Sequence, residues 1–156
     1  MKKKLYLIFG VLIILISCEK TVYIDIPDKG RKITIINHSN LLGKPLAALL
    51  INRGATVTVC HEFTKNLREF TKNAEIIITG VGKKNLIKEE MVRKGVVIID
   101  AGILKIGNKV YGDVDLEKIK LKADYITPVP GGVGPMTVAC LLENTVEAAE
   151  NIEGCK

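Results

Sequence analysis

Four short loops in this chain carry residue types that bind phosphate, ribose and flat aromatic rings. The first runs Asn37-His38-Ser39-Asn40-Leu41-Leu42-Gly43-Lys44-Pro45 and sets a hydroxyl and a glycine ahead of an apolar helical stretch. Pro45 falls near the first helical turn, where its missing N–H costs nothing, and the remaining free N–H groups of a helix start suit an anionic phosphate. The second loop, Cys60-His61-Glu62-Phe63, offers a carboxylate about 20 residues beyond Ser39, the spacing at which an acidic side chain takes an adenosine ribose hydroxyl. The third, Thr79-Gly80-Val81-Gly82-Lys83-Lys84, and the fourth, Asp100-Ala101-Gly102-Ile103-Leu104-Lys105, hold glycines where backbone can approach a flat ligand. No G-x-G-x-x-G fingerprint is present, so the four loops together, and none alone, point to a dinucleotide site.

The elements that must position these loops are legible as alternating patterns. Ile33–Asn37, Thr56–Cys60, Glu75–Thr79 and Val96–Asp100 are short β-branched runs that read as buried strands. Between them, Lys44–Gly54, Asn66–Asn73 and Asn85–Gly95 read as helical, with Gly54 and Gly95 placed to close the first and third as C-caps. Strands alternating with helices predict an α/β domain built on a doubly wound parallel sheet. Residues 106–111 predict a small hairpin around Gly107-Asn108. A fifth loop, Pro128–Pro135, holds three prolines and three glycines and leads into an amphipathic helix whose apolar face carries Met136, Cys140, Leu141, Leu142, Val146 and Ala149.

At 156 residues and 47% apolar content the chain suits one domain with a real core. The formal charge of +6 includes Lys2, Lys3 and Lys4, and the remaining excess is scattered. With four Tyr, three Phe and no Trp to stack on bases, a nucleic-acid surface is not indicated. Cys18, Cys60, Cys140 and Cys155 form no metal-ligand spacing, and Cys60 and Cys140 read as small buried side chains. The first residues show a Lys flank, an apolar run Leu5–Ile16 too short to span a bilayer, and Ser17-Cys18, the look of a lipoprotein signal with Cys18 as the lipidated, membrane-anchoring residue. The expected organisation is therefore a signal segment over 1–18, a linker over 19–32, a dinucleotide-binding domain over 33–150 and a tail over 151–156.

The stretches SNLLGKPLAALLINRGATVTVCH, FTKNL, AEIIITGVGK, MVRKGVVIIDAGI, GDVD and YITPVPGGVGPMTVACLLENTVEAA resemble the C-terminal half of bifunctional methylenetetrahydrofolate dehydrogenase/methenyltetrahydrofolate cyclohydrolase. That resemblance implies a Rossmann-like domain binding NADP or, in some members, NAD. It aligns the family's phosphate turn with Asn37, His38 and Ser39 and a cofactor-side isoleucine with Ile103. It also places the loop Pro128–Pro135, with Gly131 and Gly132, at the nicotinamide and folate cleft and counts Thr137 among the cofactor-binding residues. The implied chemistry is hydride transfer from the folate methylene group to the nicotinamide, followed by hydrolysis of the methenyl cation. Two departures favour NAD over NADP. His38 replaces the family's turn arginine, and Glu62 stands where a 2′-phosphate would need a cation. Asn37 replaces the turn's first glycine and is expected to supply a left-handed backbone conformation. The resemblance places the family's catalytic lysine in an N-terminal domain that the 32 residues before Ile33 do not contain. No catalytic residue is assigned here: Lys83, Lys84 and Lys105 read as solvated loop lysines, and folate is a substrate only with that domain supplied. Family members pair as dimers and work in the cytoplasm, whereas the first residues read as an export signal. The alternative is a membrane-anchored or chimeric chain with nucleotide binding at most.

Overall fold

A computed structural model describes residues 29–154. The strands are β1 Lys32–Ile36, β2 Thr56–Cys60, β3 Ile76–Thr79, β4 Val96–Asp100, β5 Leu104–Ile106, β6 Lys109–Tyr111 and β7 Ala123–Ile126. The helices are α1 Gly43–Asn52, α2 Leu67–Thr71, α3 Leu116–Ile119 and α4 Val133–Gly154, with one 3₁₀ turn at Glu89–Met91. The expected signal segment, with Cys18, and most of the expected linker lie outside the described residues.

Five strands form one all-parallel sheet in the order β2-β1-β3-β4-β7. The chain steps outward from β1 to β2, then crosses back over β1 to β3, so its direction of travel reverses beside β1. In a doubly wound sheet, that reversal opens a crevice beyond the carboxyl ends of the strands. All five strands point the same way, so the loops at 37–42, 61–66, 80–88, 101–103 and 127–132 collect along one rim.

Strand alternation decides which helix covers which face. Ile33 and Ile35 of β1, Ile76 and Ile78 of β3 and Ile99 of β4 pack with Leu46, Ala47 and Leu50 of α1 and with Val133 at the start of α4. The intervening Ile36, Ile77, Val96 and Ile98 pack on the opposite side with Ala74, Ile87, Val92 and Ile119. Both faces of β1, β3 and β4 are covered, so these strands read as continuous apolar runs rather than as alternating ones. Ile35 and Ile77 have no exposed surface, and each buried side chain of this size contributes about 1.5–3 kcal/mol to folding.

One expected element changes. Asn85–Gly95 is not a helix: only the 3₁₀ turn forms there. Ile87 forms a parallel bridge with Val114, with its N–H donating to the Asp113 carbonyl and its own carbonyl accepting from the Asp115 N–H. This non-local pairing overrides the local helical pattern, and Gly95 (φ +76°) turns the chain into β4 instead of capping a helix. Helix α4 extends over residues 151–154, into the stretch expected as a tail. Finally, β7 and α3 carry no counterpart in the sequence reading. The hairpin does form, as β5 and β6 joined at Gly107-Asn108. Among the described residues, no helix is long and apolar enough to cross a membrane.

The amino end of the sheet is pinned by Glu75, whose carboxylate accepts from the Lys32 N–H at 3.0 Å and from Arg31 Nη1 at 2.6 Å. The Lys32 N–H first, and Arg31 next, hold this carboxyl below the usual range. Its contribution to stability is therefore present above the unfolded value near about 4.3 and lost as pH falls through the lower folded value. Urea midpoints should show wild type ahead of Glu75→Gln at pH 6, with the gap closing in acid. A gap that is unchanged down to pH 2 would exclude this role.

Candidate functional site

Two cavities open along the carboxyl rim of the sheet. One, of about 500 Å³, is lined by Asn37, His38, Ser39, His61, Glu62, Val81 and Lys83 among others. The second, of about 410 Å³, is lined by Leu41, Leu42, Asp100 to Ile103, Val110, Pro128 to Pro135 and Thr137. The structure thus brings Asn37, His38, Ser39 and Glu62 together, and Ile103, Gly131, Gly132 and Thr137 together, in adjoining halves of one rim. Gly80 stands between them. A Cβ there would press on Leu42 of the second cavity and approach Asn37 of the first.

Asn37 organises the first turn through its side chain. Its Oδ1 accepts from the Ser39 N–H at 2.8 Å and the Gly43 N–H at 3.2 Å, and its Nδ2 donates to the Gly80 carbonyl at 2.6 Å. The expected left-handed backbone is not used: among the described residues, Asn85 (φ +54°) is the one non-glycine with positive φ. Asn succeeds here because its amide can bond the backbone two residues on, which imitates a turn. Gly43 is required by close approach, since a Cβ would collide with the Asn37 carbonyl. The Leu42 N–H donates to Ser39 Oγ at 3.1 Å. The helix start is therefore partly satisfied internally, and the Ser39 hydroxyl, having accepted one bond, retains its own hydrogen to donate.

Opposite this turn, Glu62 Oε2 lies 3.4 Å from His38 Nδ1, with both side chains about half exposed. An exposed pair of this kind is worth at most about 1 kcal/mol, so it orients rather than stabilises. His61, not singled out in the sequence, stacks at a tilt against His38 with ring centroids 5.3 Å apart, and its Nδ1 accepts from the Phe63 N–H. Lys83 also faces this cavity and, among the described residues, is its one lysine. Lys84 sits over the Tyr111 ring, 3.6 Å from the centroid, and so ties the β3 loop to the hairpin.

The second cavity is walled by the Pro-Gly loop. The Val129–Pro130 peptide is cis and Gly131 adopts φ +103°. The two glycines differ in purpose. Gly132 is needed by the loop itself, because a Cβ would press on the Pro128 carbonyl, whereas the space beside Gly131 is open. The Thr137 hydroxyl donates back to the Val133 carbonyl at 2.9 Å. Among the described residues, Asp100 is the one titratable group lining this half. Burial pushes its carboxyl above the usual range, the N–H bonds from Asp113 and Gly102 pull the other way, and the Asp113 carboxylate adds to the rise. Neither buried aspartate was recognised as part of the site from sequence. The available signal was a carboxylate beside glycine at the end of an apolar strand, Asp100-Ala101-Gly102, and again in Gly112-Asp113.

Replacing Asn37 with Ala removes three hydrogen bonds and leaves two N–H groups and a carbonyl without their partner. The loss should be about 1–3 kcal/mol in urea denaturation. A loss under about 0.5 kcal/mol would show that this side chain does not organise the turn.

Comparison with known proteins agrees with this geometry. A family profile described as tetrahydrofolate dehydrogenase/cyclohydrolase, NAD(P)-binding domain, matches residues 14–153 and so begins ahead of Cys18, inside the segment read as a signal. The chain is 58% identical over 122 residues to the bifunctional protein FolD of Nitratiruptor sp., which covers 78% of this chain and 43% of the relative. Among solved structures, the bifunctional FolD enzyme of Campylobacter jejuni superposes with a TM-score of 0.78 at 50% identity, covering 81% of this chain and 45% of that one. The Trypanosoma brucei dehydrogenase-cyclohydrolase, solved with NADP cofactor and an inhibitor, superposes at 0.72 with 34% identity, covering 78% of this chain and 44% of that one. The chain spans less than half the length of these relatives. The parallel sheet, the rim of loops and the matched profile place the chain in the tetrahydrofolate dehydrogenase/cyclohydrolase family, as its NAD(P)-binding domain.

Proposed function

We propose that the chain serves as the nucleotide-holding half of a methylenetetrahydrofolate dehydrogenase/cyclohydrolase, and that its preferred dinucleotide is NAD. The observation that carries the cofactor choice is Glu62 beside His38 at the rim of the first cavity. A carboxylate accepts a hydrogen bond from a ribose 2′-hydroxyl but repels a 2′-phosphate. Ser39 keeps a hydroxyl hydrogen for a phosphate oxygen, and the open space beside Gly131 leaves room for a flat ring against the loop. When bound, the nicotinamide supplies the hydride acceptor.

The chain's own residues bind and orient, and they exclude water with the apolar walls of Leu41, Leu42, Ile103, Val110 and Val129. The second cavity offers little acid/base chemistry. Asp100, the titratable group in this half, is buried and already accepts three backbone N–H bonds. Proton transfer and hydrolysis therefore need groups from outside this domain. One observation favours a second reading: Lys83 in the first cavity is a cation that a 2′-phosphate could use.

Fluorescence titration of the full chain should show NADH binding at least about tenfold tighter than NADPH, a preference worth about 1.4 kcal/mol. Glu62→Ser should narrow that ratio, and Lys83→Ala should leave it in place. Tighter NADPH binding that Lys83→Ala abolishes would establish the second reading. The chain alone should not turn over methylenetetrahydrofolate with NAD, and measurable turnover would contradict the assignment of proton transfer to outside groups.

A further inference from the structure

Two buried carboxylates stand behind the two cavities, and neither contacts the open space of the other's half. Asp113 has no exposed surface. Its Oδ2 accepts from the Thr79 hydroxyl and the Val81 N–H, both at 2.7 Å, and its Oδ1 accepts from the Lys83 N–H at 2.7 Å. Val81 and Lys83 are wall residues of the first cavity. Asp100 accepts from the Gly102 N–H at 2.9 Å and the Val114 N–H at 3.0 Å, and its own N–H donates to Thr127 Oγ1 at 2.8 Å. Gly102 lines the second cavity, and Thr127 leads directly into its Pro-Gly wall. The two groups are joined by one bond, from the Asp113 N–H to Asp100 Oδ1 at 3.1 Å.

The packing leaves no slack around either carboxylate. A Cβ on Gly102 would collide with the Asp113 carboxylate, and one on Gly112 with that of Asp100. Every donor named is a backbone N–H or a hydroxyl, so each oxygen fixes the course of a loop rather than meeting a mobile cation. Such fully satisfied buried networks rigidify what they hold.

We infer that Asp113 and Asp100 are positioning residues that set the two ends of the nucleotide cleft separately, Asp113 the adenosine end and Asp100 the nicotinamide end. This rests on the proposal that one dinucleotide spans both cavities, with its adenosine beside Glu62. An Asp→Asn change at either position turns one acceptor oxygen into an NH₂ group facing N–H donors, which releases the loop that oxygen held.

The test compares NADH with ADP-ribose, which lacks the nicotinamide, on the full chain. Asp113→Asn should weaken both ligands by the same factor, about tenfold. Asp100→Asn should weaken NADH about tenfold while leaving ADP-ribose within about twofold. Amide hydrogen exchange supplies a readout that needs no ligand. Exchange should quicken at Val81 and Lys83 in the first variant, and at Gly102 and Val114 in the second. Should Asp113→Asn fail to fold, Thr79→Val removes one bond to that carboxylate and should reproduce its pattern at smaller amplitude. Should Asp100→Asn fail, Thr127→Val removes the two bonds that tie the Asp100 main chain to the start of the Pro-Gly wall and should weaken NADH while sparing ADP-ribose. Equal weakening of both ligands by Asp100→Asn, or exchange that quickens uniformly across the sheet, would overturn the inference. A wild-type chain that binds neither ligand would refute the nucleotide reading instead, and the exchange pattern would then decide the loop assignments alone.

Discussion

A carboxylate taken out of water is costly unless hydrogen bonds replace its hydration. Asp100 and Asp113 meet that condition at the carboxyl rim of the sheet, where five backbone N–H groups and one hydroxyl converge on their four oxygens. The loops after β3 and β4 and the turn after β6 have little regular structure of their own. They take definite courses because these oxygens need donors there. The two carboxylates thus brace the three loops that, together with the Asn37 turn and the Pro-Gly wall, bound the two cavities, with the sheet supplying the rigid floor.

The sheet was legible in the sequence because its strands are parallel and covered on both faces. Ile33–Ile36, Ile76–Ile78 and Val96–Ile99 are uninterrupted β-branched runs, a pattern that solvated hairpins do not produce. Only β7 escaped among the sheet strands: Ala123–Ile126 is short, exposes Tyr125 and lies at the sheet edge. The Asn85–Gly95 segment misled for the opposite reason. Its apolar spacing suits a helix, but Ile87 pairs with Val114, far along the chain, and no local pattern announces such a partner.

The candidate site was legible as a set of loops and illegible as a mechanism of shape. Asn37 was expected to act through its backbone and acts through its amide, because hydrogen-bond partners six and forty-three residues away are tertiary facts. The two aspartates were visible only as parts of familiar stretches, since nothing local distinguishes a buried carboxylate from a solvated one. The Pro-Gly loop was the easiest to read, because proline and glycine act on the backbone directly. Along α4, Cys140 is buried while Leu141, Leu142 and Val146 stay exposed, so part of its apolar face finds no cover among the described residues.

For the two cavities to form one dinucleotide site, a single ligand must reach from the Asn37 turn to the Pro-Gly loop. Nuclear magnetic resonance of the labelled chain during NAD addition addresses this directly. Amide shifts should move together, with one midpoint, at Ser39 and Glu62 on one side and at Ile103, Gly131 and Thr137 on the other. Shifts confined to one of these groups, or two groups moving with unrelated midpoints, would contradict a single dinucleotide lying across both cavities.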